Sequence, residues 1–235
     1  MKKEDGQEYD DRLMADALHT LKNMIASINV YVEMVQYGHV NPQQLQPVLD
    51  KISHCTDSAT KLCTDLMDIC RVKGGLTDQR KGEVNPHHLM VELIGMMEDE
   101  LQPKQLSLVN KLDPEVHILF NAAMLTSIFR NLITNAIKFS PPKSTITITG
   151  ECPDAANYAI SISDEGVGID EKKVEEKLQY CTEYATLGTQ NESGTGLGLI
   201  LVKAMLDKNK GSIRAYNNKN KGATFVITLP LYTEN

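Results

Sequence analysis

Apolar residues in the first third of the chain recur at alternating steps of three and four positions, the pattern of a helix with one apolar stripe. The pattern stops at Tyr37-Gly38 and resumes after Asn41-Pro42. Because Gly, Asn and Pro are typical of turns, this break is predicted to be a turn. Residues 10–72 are therefore predicted to form two helices joined as a hairpin. The first stripe comprises Met14, Leu18, Leu21, Ile25, Ile28, Val32 and Val35, and the second comprises Leu45, Val48, Ile52, Cys55, Ala59, Leu62, Leu66 and Ile69.

A two-helix hairpin cannot cover its own apolar stripes completely, whereas two hairpins side by side form a four-helix bundle that does. We therefore expect a homodimer through residues 10–72. The alternative is a monomeric hairpin whose stripes pack against the rest of the same chain.

The pattern changes after Gly74-Gly75, where short β-branched runs alternate with helical segments. This order predicts an α+β fold, with a layer of helices on one face of a mixed sheet. The predicted domains are the hairpin, residues 1–75, and an α/β sandwich, residues 76–235. Strands are predicted over 106–112, 116–120, 145–150, 158–163, 212–216 and 224–229, and helices over 85–102, 121–137 and 197–207.

Composition narrows the class of protein. A formal net charge of −7 argues against a nucleic-acid partner, because no basic surplus is available for phosphates. The five cysteines form no CxxC pair, so reduced thiols in the cytoplasm are expected. No apolar run approaches the roughly 20 residues of a membrane span, and no membrane contact is predicted for this fragment. If the natural protein is membrane-anchored, we expect the anchor to lie outside this fragment.

Three segments carry candidate chemistry in the second domain. Asn131, Asn135 and Lys138 share one face of a predicted helix, where amide oxygens suit Mg²⁺ and the ammonium suits phosphate. Asp164 ends a predicted strand and can accept a hydrogen bond from an exocyclic amine. The glycines that follow it allow a close approach to the backbone. The third segment, residues 194–199, is a glycine-rich helix start, which is a natural anion site.

Together with Gly222-Ala223-Thr224-Phe225, these segments resemble, in this order, the GHKL (Bergerat) ATP-binding domain. Histidine kinases, Hsp90-type chaperones, type II topoisomerases and MutL-type repair proteins share this domain. The resemblance implies ATP and Mg²⁺ as cofactors, Asn135 as the metal ligand and Asp164 as the adenine ligand. It also implies a mobile lid over residues 171–193. The implied nucleotide-binding residues are Asn131, Asn135, Lys138, Asp164, Gly166, Gly168, Thr195, Gly196, Leu197 and Gly198.

His19 lies on the solvent side of the first predicted helix, one turn before Asn23. Residues 19–25 resemble the phosphoacceptor box of histidine kinases, but Met24 replaces the proline and Thr20 replaces the acidic residue of that box. A threonine hydroxyl cannot act as a base near neutral pH. The resemblance implies that His19 accepts the phosphoryl group and that Asn23 orients water for dephosphorylation of the partner.

The predicted function is that of a sensor histidine kinase core in a two-component system. It would phosphorylate itself on His19 with ATP, with Lys138 beside the phosphates, and would pass the group to an aspartate of a response-regulator receiver domain. Two alternatives stay open, the first of them motivated by Thr20. One is a kinase-poor, phosphatase-dominated protein, and the other is an ATP-binding dimerisation scaffold without turnover.

Overall fold

The computed structural model describes residues 4–73, 81–180 and 196–233. Its first part is a helical hairpin, made of α1 (Glu4–Gln36) and α2 (Pro42–Lys73). The turn between them depends on Gly38, whose φ of +71° favours glycine. Asn41 begins α2, since its Oδ1 accepts a hydrogen bond from the Gln44 amide at 3.0 Å. The hairpin predicted from the two stripes is thus present.

The second part is built on a five-stranded sheet in the order β2-β4-β5-β7-β6. The β2 and β4 strands are parallel, and every other neighbouring pair is antiparallel. A separate antiparallel pair is formed by β1 and β3. The strands are β1 (Gly82–Val84), β2 (Ser107–Lys111), β3 (Ile118–Phe120), β4 (Thr145–Glu151), β5 (Asn157–Ser163), β6 (Ser212–Asn217) and β7 (Ala223–Pro230).

Every strand expected from the sequence is found, and β1 was missed because three residues show no periodicity. The two faces of the sheet differ. Along β4, Ile146 and Ile148 are fully buried, whereas Thr145 and Thr147 remain partly accessible to solvent. One face therefore carries the apolar core of the domain, and the other is rich in hydroxyl side chains.

Helices cover the apolar face and make the predicted two-layer α/β sandwich. Asn85 and Asn121 cap the first and third of them, since each Oδ1 accepts an amide hydrogen bond three residues later. The single helix expected over 85–102 is interrupted at Met97, which leaves helical geometry (φ −105°, ψ 9°) and is completely buried. The helices are α3 (Pro86–Met96), α4 (Glu98–Leu101), α5 (Ala122–Phe139), α6 (Glu171–Tyr180) and α7 (Gly198–Lys208).

The C-terminal half of α2 packs against α7, so the two parts share one hydrophobic core. Leu62, Leu66 and Ile69 are buried there, and Lys208 Nζ donates a hydrogen bond to the Val72 carbonyl at 2.6 Å. Over this segment the hairpin therefore packs against the rest of its own chain, as the alternative expects. Elsewhere on the hairpin large apolar side chains remain exposed, namely Leu18, Ile25, Val30, Met34, Leu45, Leu49 and Met67.

Among the helices described, none is both long enough and apolar enough to cross a bilayer.

Candidate functional site

One cavity of about 420 Å³ lies between α5, α6, α7, the loop after β5 and the hairpin helix α2. Seven of the ten predicted nucleotide-binding residues line it. Gly166 and Leu197 are buried but are not among the residues lining the cavity, and Thr195 lies outside the described residues. The seven are Asn131, Asn135, Lys138, Asp164, Gly168, Gly196 and Gly198.

The α5 wall carries Asn131, Asn135 and Lys138, which the helical repeat directs to one side. Asn131 is held in place because its Nδ2 donates to the Ser127 carbonyl at 2.9 Å. A Cβ atom on Gly198 would lie 2.7 Å from Asn131 Oδ1. Only glycine at this position lets the start of α7 come so close to α5.

Asp164, 5% exposed, stands at the end of β5. Its Oδ1 accepts two backbone hydrogen bonds, from Gly166 at 2.8 Å and from Ala223 at 3.1 Å. Burial of the carboxyl raises its pKa above the ordinary value, against the opposing effect of the two amides. Since Oδ1 is occupied, Oδ2 is the oxygen left to meet a ligand in the cavity.

Close packing of β7 against this loop requires Gly222, which has a φ of +84°. A Cβ atom there would lie 1.9 Å from the Asp164 carbonyl oxygen. Any other residue at position 222 would therefore push β7 away from the aspartate, and the Ala223 amide with it. Gly222 therefore supports the site although it is not among the residues that line the cavity.

Asn217 and Asn218, at the end of β6, hold the loop after β5 in place, although the sequence analysis assigned them no role. Asn217 Oδ1 accepts from the Ile169 amide at 2.8 Å, and its Nδ2 donates to the Ile169 carbonyl at 2.9 Å. Asn218 Nδ2 donates to the Asp164 carbonyl at 2.9 Å. No local pattern predicts these contacts, because they join residues about 50 positions apart.

Lys104 is a second residue whose role no sequence pattern indicated. It is only 3% exposed, and its Nζ donates to the carbonyls of Ile137 (2.9 Å), Lys138 (2.9 Å) and Ser140 (3.2 Å). These carbonyls lie at the C-terminal end of α5, where no later helical amide is available to donate to them. Lys104 therefore fixes the last turn of the helix that carries Lys138.

The contacts of α5 give the cavity two ends. Near Phe139, the helix meets the Asp164 loop, as the Val167 amide donates to the Phe139 carbonyl at 3.3 Å. Near Asn131, it meets the start of α7. The eight residue steps from Asn131 to Phe139 span about 12 Å at about 1.5 Å per residue. The carboxylate of Asp164 thus marks one end, and the positive end of the α7 dipole marks the other.

Positive charge predominates around this cavity. Lys61, Lys138, Lys173 and Lys177 line it, and the acidic residues among the described lining are Asp164 and Asp170. Asp170 is partly neutralised by Lys173, with 3.6 Å between the two charged groups. The surplus of ammonium groups favours an anionic ligand.

His19 is exposed on α1 and is not among the described residues that line the cavity. Its Nδ1 lies 3.2 Å from Nδ2 of Asn23, which is also exposed, so the two predicted residues are in contact. His19 precedes the end of α1 at Gln36 by 17 residues, and Lys61 follows the start of α2 at Pro42 by 19. These lengths, about 26 Å and about 29 Å, put His19 and Lys61 at similar heights on the hairpin.

The predicted lid begins with α6, whose Val174 and Lys177 line the cavity. The rest of the predicted lid, residues 181–193, lies outside the described residues.

Comparison with known proteins agrees with this geometry. Residues 121–233 match the family described as histidine kinase-, DNA gyrase B-, and HSP90-like ATPase. The autoinducer 2 sensor kinase/phosphatase LuxQ of Vibrio harveyi is 27% identical over 225 residues, which are 93% of this chain and 26% of LuxQ. The sensor protein kinase WalK of Staphylococcus aureus is 26% identical over 220 residues, 92% of this chain and 52% of that protein. The chain thus spans about a quarter to a half of the length of these relatives.

Solved structures share the fold. Histidine kinase AdeS of Acinetobacter baumannii superposes with a TM-score of 0.73 at 20% identity, covering 92% of this chain and 98% of AdeS. Histidine kinase ThkA, solved in complex with the response regulator protein TrrA, superposes with a TM-score of 0.74 at 21% identity, covering 98% of this chain and 66% of ThkA. Residues 121–233 thus match this ATPase family, and the chain, with its helical hairpin before a domain of the GHKL type, is similar to the catalytic cores of sensor histidine kinases.

Proposed function

We propose that this core binds ATP in the cavity, transfers the terminal phosphoryl group to His19, and then passes it to an aspartate of a response-regulator receiver domain. The carrying observation is the two-ended cavity, with a buried carboxylate at one end, the start of α7 at the other and lysines along its lining. The following points support each part of the proposal.

The dimensions and chemistry of the cavity suit ATP. Its volume of about 420 Å³ falls in the ordinary range for small-molecule sites, and its two ends are about 12 Å apart. Oδ2 of Asp164 would accept a hydrogen bond from the adenine amine. The phosphates would lie toward the start of α7, where the helix dipole favours negative charge, and the lysines along the cavity would add positive charge.

Asn135 is the residue that would hold Mg²⁺. It lines the cavity between Asn131 and Lys138, and its amide oxygen is a hard ligand. Mg²⁺ usually takes only one or two ligands from a protein and the remainder from water and phosphate oxygens. One amide beside several ammonium groups therefore fits an ion that arrives with the nucleotide and neutralises its phosphate charge.

His19 would act as the nucleophile. Its Nε2 lone pair would form a bond to the terminal phosphorus of ATP. The bond from this phosphorus to the oxygen that bridges it to ADP would break, and ADP would leave with the electron pair. The exposed imidazole then gives up its Nδ1 proton to solvent water. This route needs the tautomer with the proton on Nδ1, so that Nε2 is free to attack.

The contact with Asn23 bears on that tautomer. An amide nitrogen only donates, so in the observed orientation Nδ1 of a neutral imidazole accepts and Nε2 carries the proton. Attack by Nε2 requires the Asn23 amide to turn over, so that its oxygen accepts from Nδ1–H. Thr20 cannot take that proton in place of the family's carboxylate. Asn23 is thus proposed to govern the reactivity of His19.

A homodimer through residues 10–72 follows from the exposed apolar side chains of the hairpin. Leu18 is 52% exposed and Ile25 is 48% exposed, and both belong to the stripe of α1. A second hairpin would cover them in a four-helix bundle. ThkA was solved with a response regulator, and we extend that kind of partner, a receiver domain, to this chain.

A second candidate function, dephosphorylation of the receiver domain, is favoured by the same hydrogen bond. In the observed orientation Asn23 holds His19 in the tautomer that cannot attack through Nε2. An exposed amide beside an imidazole could instead orient water toward the aspartyl phosphate of a bound receiver. LuxQ is named a sensor kinase/phosphatase. Loss of aspartyl phosphate from a receiver in the presence of the chain, abolished by Asn23→Ala, would establish this activity.

The experiment that tests the main proposal is mass spectrometry, under alkaline conditions, of the chain incubated with Mg-ATP. Phosphate is expected on His19, absent in His19→Ala and retained in His54→Ala, which removes another exposed histidine of the hairpin. Modification at any other residue would contradict the assignment of His19. Binding of ATP with no phosphohistidine at any time would favour the scaffold, and failure to bind ATP would reject the site itself.

A further inference from the structure

We propose that Lys61, on the hairpin helix α2, binds the phosphates of the nucleotide. This inference rests on the proposed ATP site. Among the described residues that line the cavity, Lys61 alone comes from the hairpin, while the others belong to the ATP-binding domain. The sequence did not suggest this role, since Lys61 stands in a helix predicted only to dimerise.

The packing of α2 on α7 locates Lys61 along the cavity. Lys208 at the end of α7 donates to Val72 near the end of α2, so these two ends are together. Lys61 precedes Val72 by 11 residues, and Gly198 precedes Lys208 by 10. Because Lys61 and Gly198 line the same cavity, the two helices run side by side in the same direction. Lys61 therefore lies at the α7 end of the cavity, far from Asp164.

The immediate surroundings of Lys61 leave its ammonium group accessible. Its side chain is 49% exposed, while the side chain of its partner Asp65, one turn later, is 6% exposed. Their charged atoms are 3.7 Å apart, longer than a direct hydrogen bond. Asp65 thus lies near the Lys61 ammonium group without occupying its donors tightly. A phosphate oxygen at the same end of the cavity can compete for those donors.

This assignment has a consequence for the arrangement of the two parts. A phosphate contact from Lys61 exists only while α2 is docked on the ATP-binding domain. By thermodynamic linkage, binding of a phosphate-bearing nucleotide stabilises the docked arrangement, and docking strengthens nucleotide binding by the same factor. The nucleotide would thereby join the two parts at the height of His19.

Calorimetric binding of ATP and of adenosine to the whole chain tests the assignment. For Lys61→Ala we expect ATP affinity to fall by about three- to tenfold, as for a partly exposed charge-assisted contact, with adenosine affinity unchanged. Lys61→Arg should retain most of the ATP affinity. The matched control is Lys51→Ala, which removes an exposed lysine of the same helix that contacts the Tyr31 ring instead of the cavity.

Hydrogen exchange gives a readout of docking in the same samples. Saturating ATP should slow amide exchange over residues 61–72 in the wild-type chain and in Lys51→Ala, and should slow it much less in Lys61→Ala. Equal ATP affinities of Lys61→Ala and Lys51→Ala would overturn the assignment, as would an equal loss of ATP and adenosine binding in Lys61→Ala. A wild-type chain that binds no ATP would instead contradict the proposed function.

Discussion

The ATP-binding domain and the hairpin differ in how completely each covers its own apolar side chains and pairs its own polar groups. In the domain, the apolar face of the sheet is covered by helices, and the loop that holds Asp164 is fastened by Ala223, Asn217 and Asn218. In the hairpin, Leu18 and Ile25 remain about half exposed. The domain therefore covers its own apolar face and holds its Asp164 loop in place, whereas the hairpin leaves apolar side chains open that the proposed second hairpin would cover.

The largest expected effect is a loss of ATP affinity on substitution of Asp164. In Asp164→Asn, Oδ1 can keep its two backbone hydrogen bonds, but an NH₂ group replaces Oδ2 and opposes the adenine amine, donor against donor. We expect ATP affinity to fall by about 100-fold. Asp170→Asn, in the same cavity, should change it little.

Stability should move in the opposite direction. Burial raises the pKa of Asp164, so its carboxylate costs stability at pH values above that raised pKa. The neutral asparagine removes this cost, and the melting temperature of Asp164→Asn should exceed that of the wild type at neutral pH. As the pH falls through the raised pKa, the wild-type carboxyl takes up a proton and the difference should shrink. A lower melting temperature at neutral pH would contradict this account.

The next effect concerns the hairpin. Ile25→Glu would place a charge in each half of the proposed dimer interface, at a cost of several kcal/mol per dimer. Analytical ultracentrifugation should detect monomers where the wild type is dimeric, with ATP affinity unchanged. Asn29→Glu, an exposed position one turn later and outside the apolar stripe, should remain dimeric. Dimers of both variants at equal stability would place the interface elsewhere.

A smaller loss is expected from Lys104→Met, which keeps a long apolar side chain but removes the three hydrogen bonds at the end of α5. Unfolding by urea should show a loss of about 2–3 kcal/mol, as for a buried charged donor. ATP affinity should also fall, because the turn that carries Lys138 loses its support. The comparison variant is Lys111→Met, an exposed lysine in β2, which should have wild-type stability.

The smallest effect is an increase. Asn23→Asp would set a carboxylate beside His19 Nδ1, where it accepts from Nδ1–H and leaves the Nε2 lone pair free. The initial rate of His19 phosphorylation should rise by about three- to tenfold, while ATP affinity and dimerisation stay the same. A slower rate would mean that His19 requires the Asn23 amide itself, and not only an acceptor for its Nδ1–H.

Much of the site was predictable where the information is local. The spacing of Asn131, Asn135 and Lys138 places them on one side of α5, because the helical repeat determines which residues share a face. The two asparagine caps and the turn at Gly38 follow from the same short-range chemistry. The contacts of Lys104, Asn217 and Lys61 could not be predicted, since each links segments that are distant in the chain.

The sequence by itself determined the helices of the hairpin, the strands beyond the three-residue β1, and the order of the motifs, because these depend on periodicity and on caps and turns a few residues long. Only the tertiary structure decided that Lys104 closes α5, that Asn217 and Asn218 hold the loop after β5, and that α2 brings Lys61 to the nucleotide cavity. The physical reason is that a hydrogen bond or an ion pair depends on distance in space. The packing of α2 on α7 and the order of the sheet strands set those distances, and no pattern within one segment encodes them.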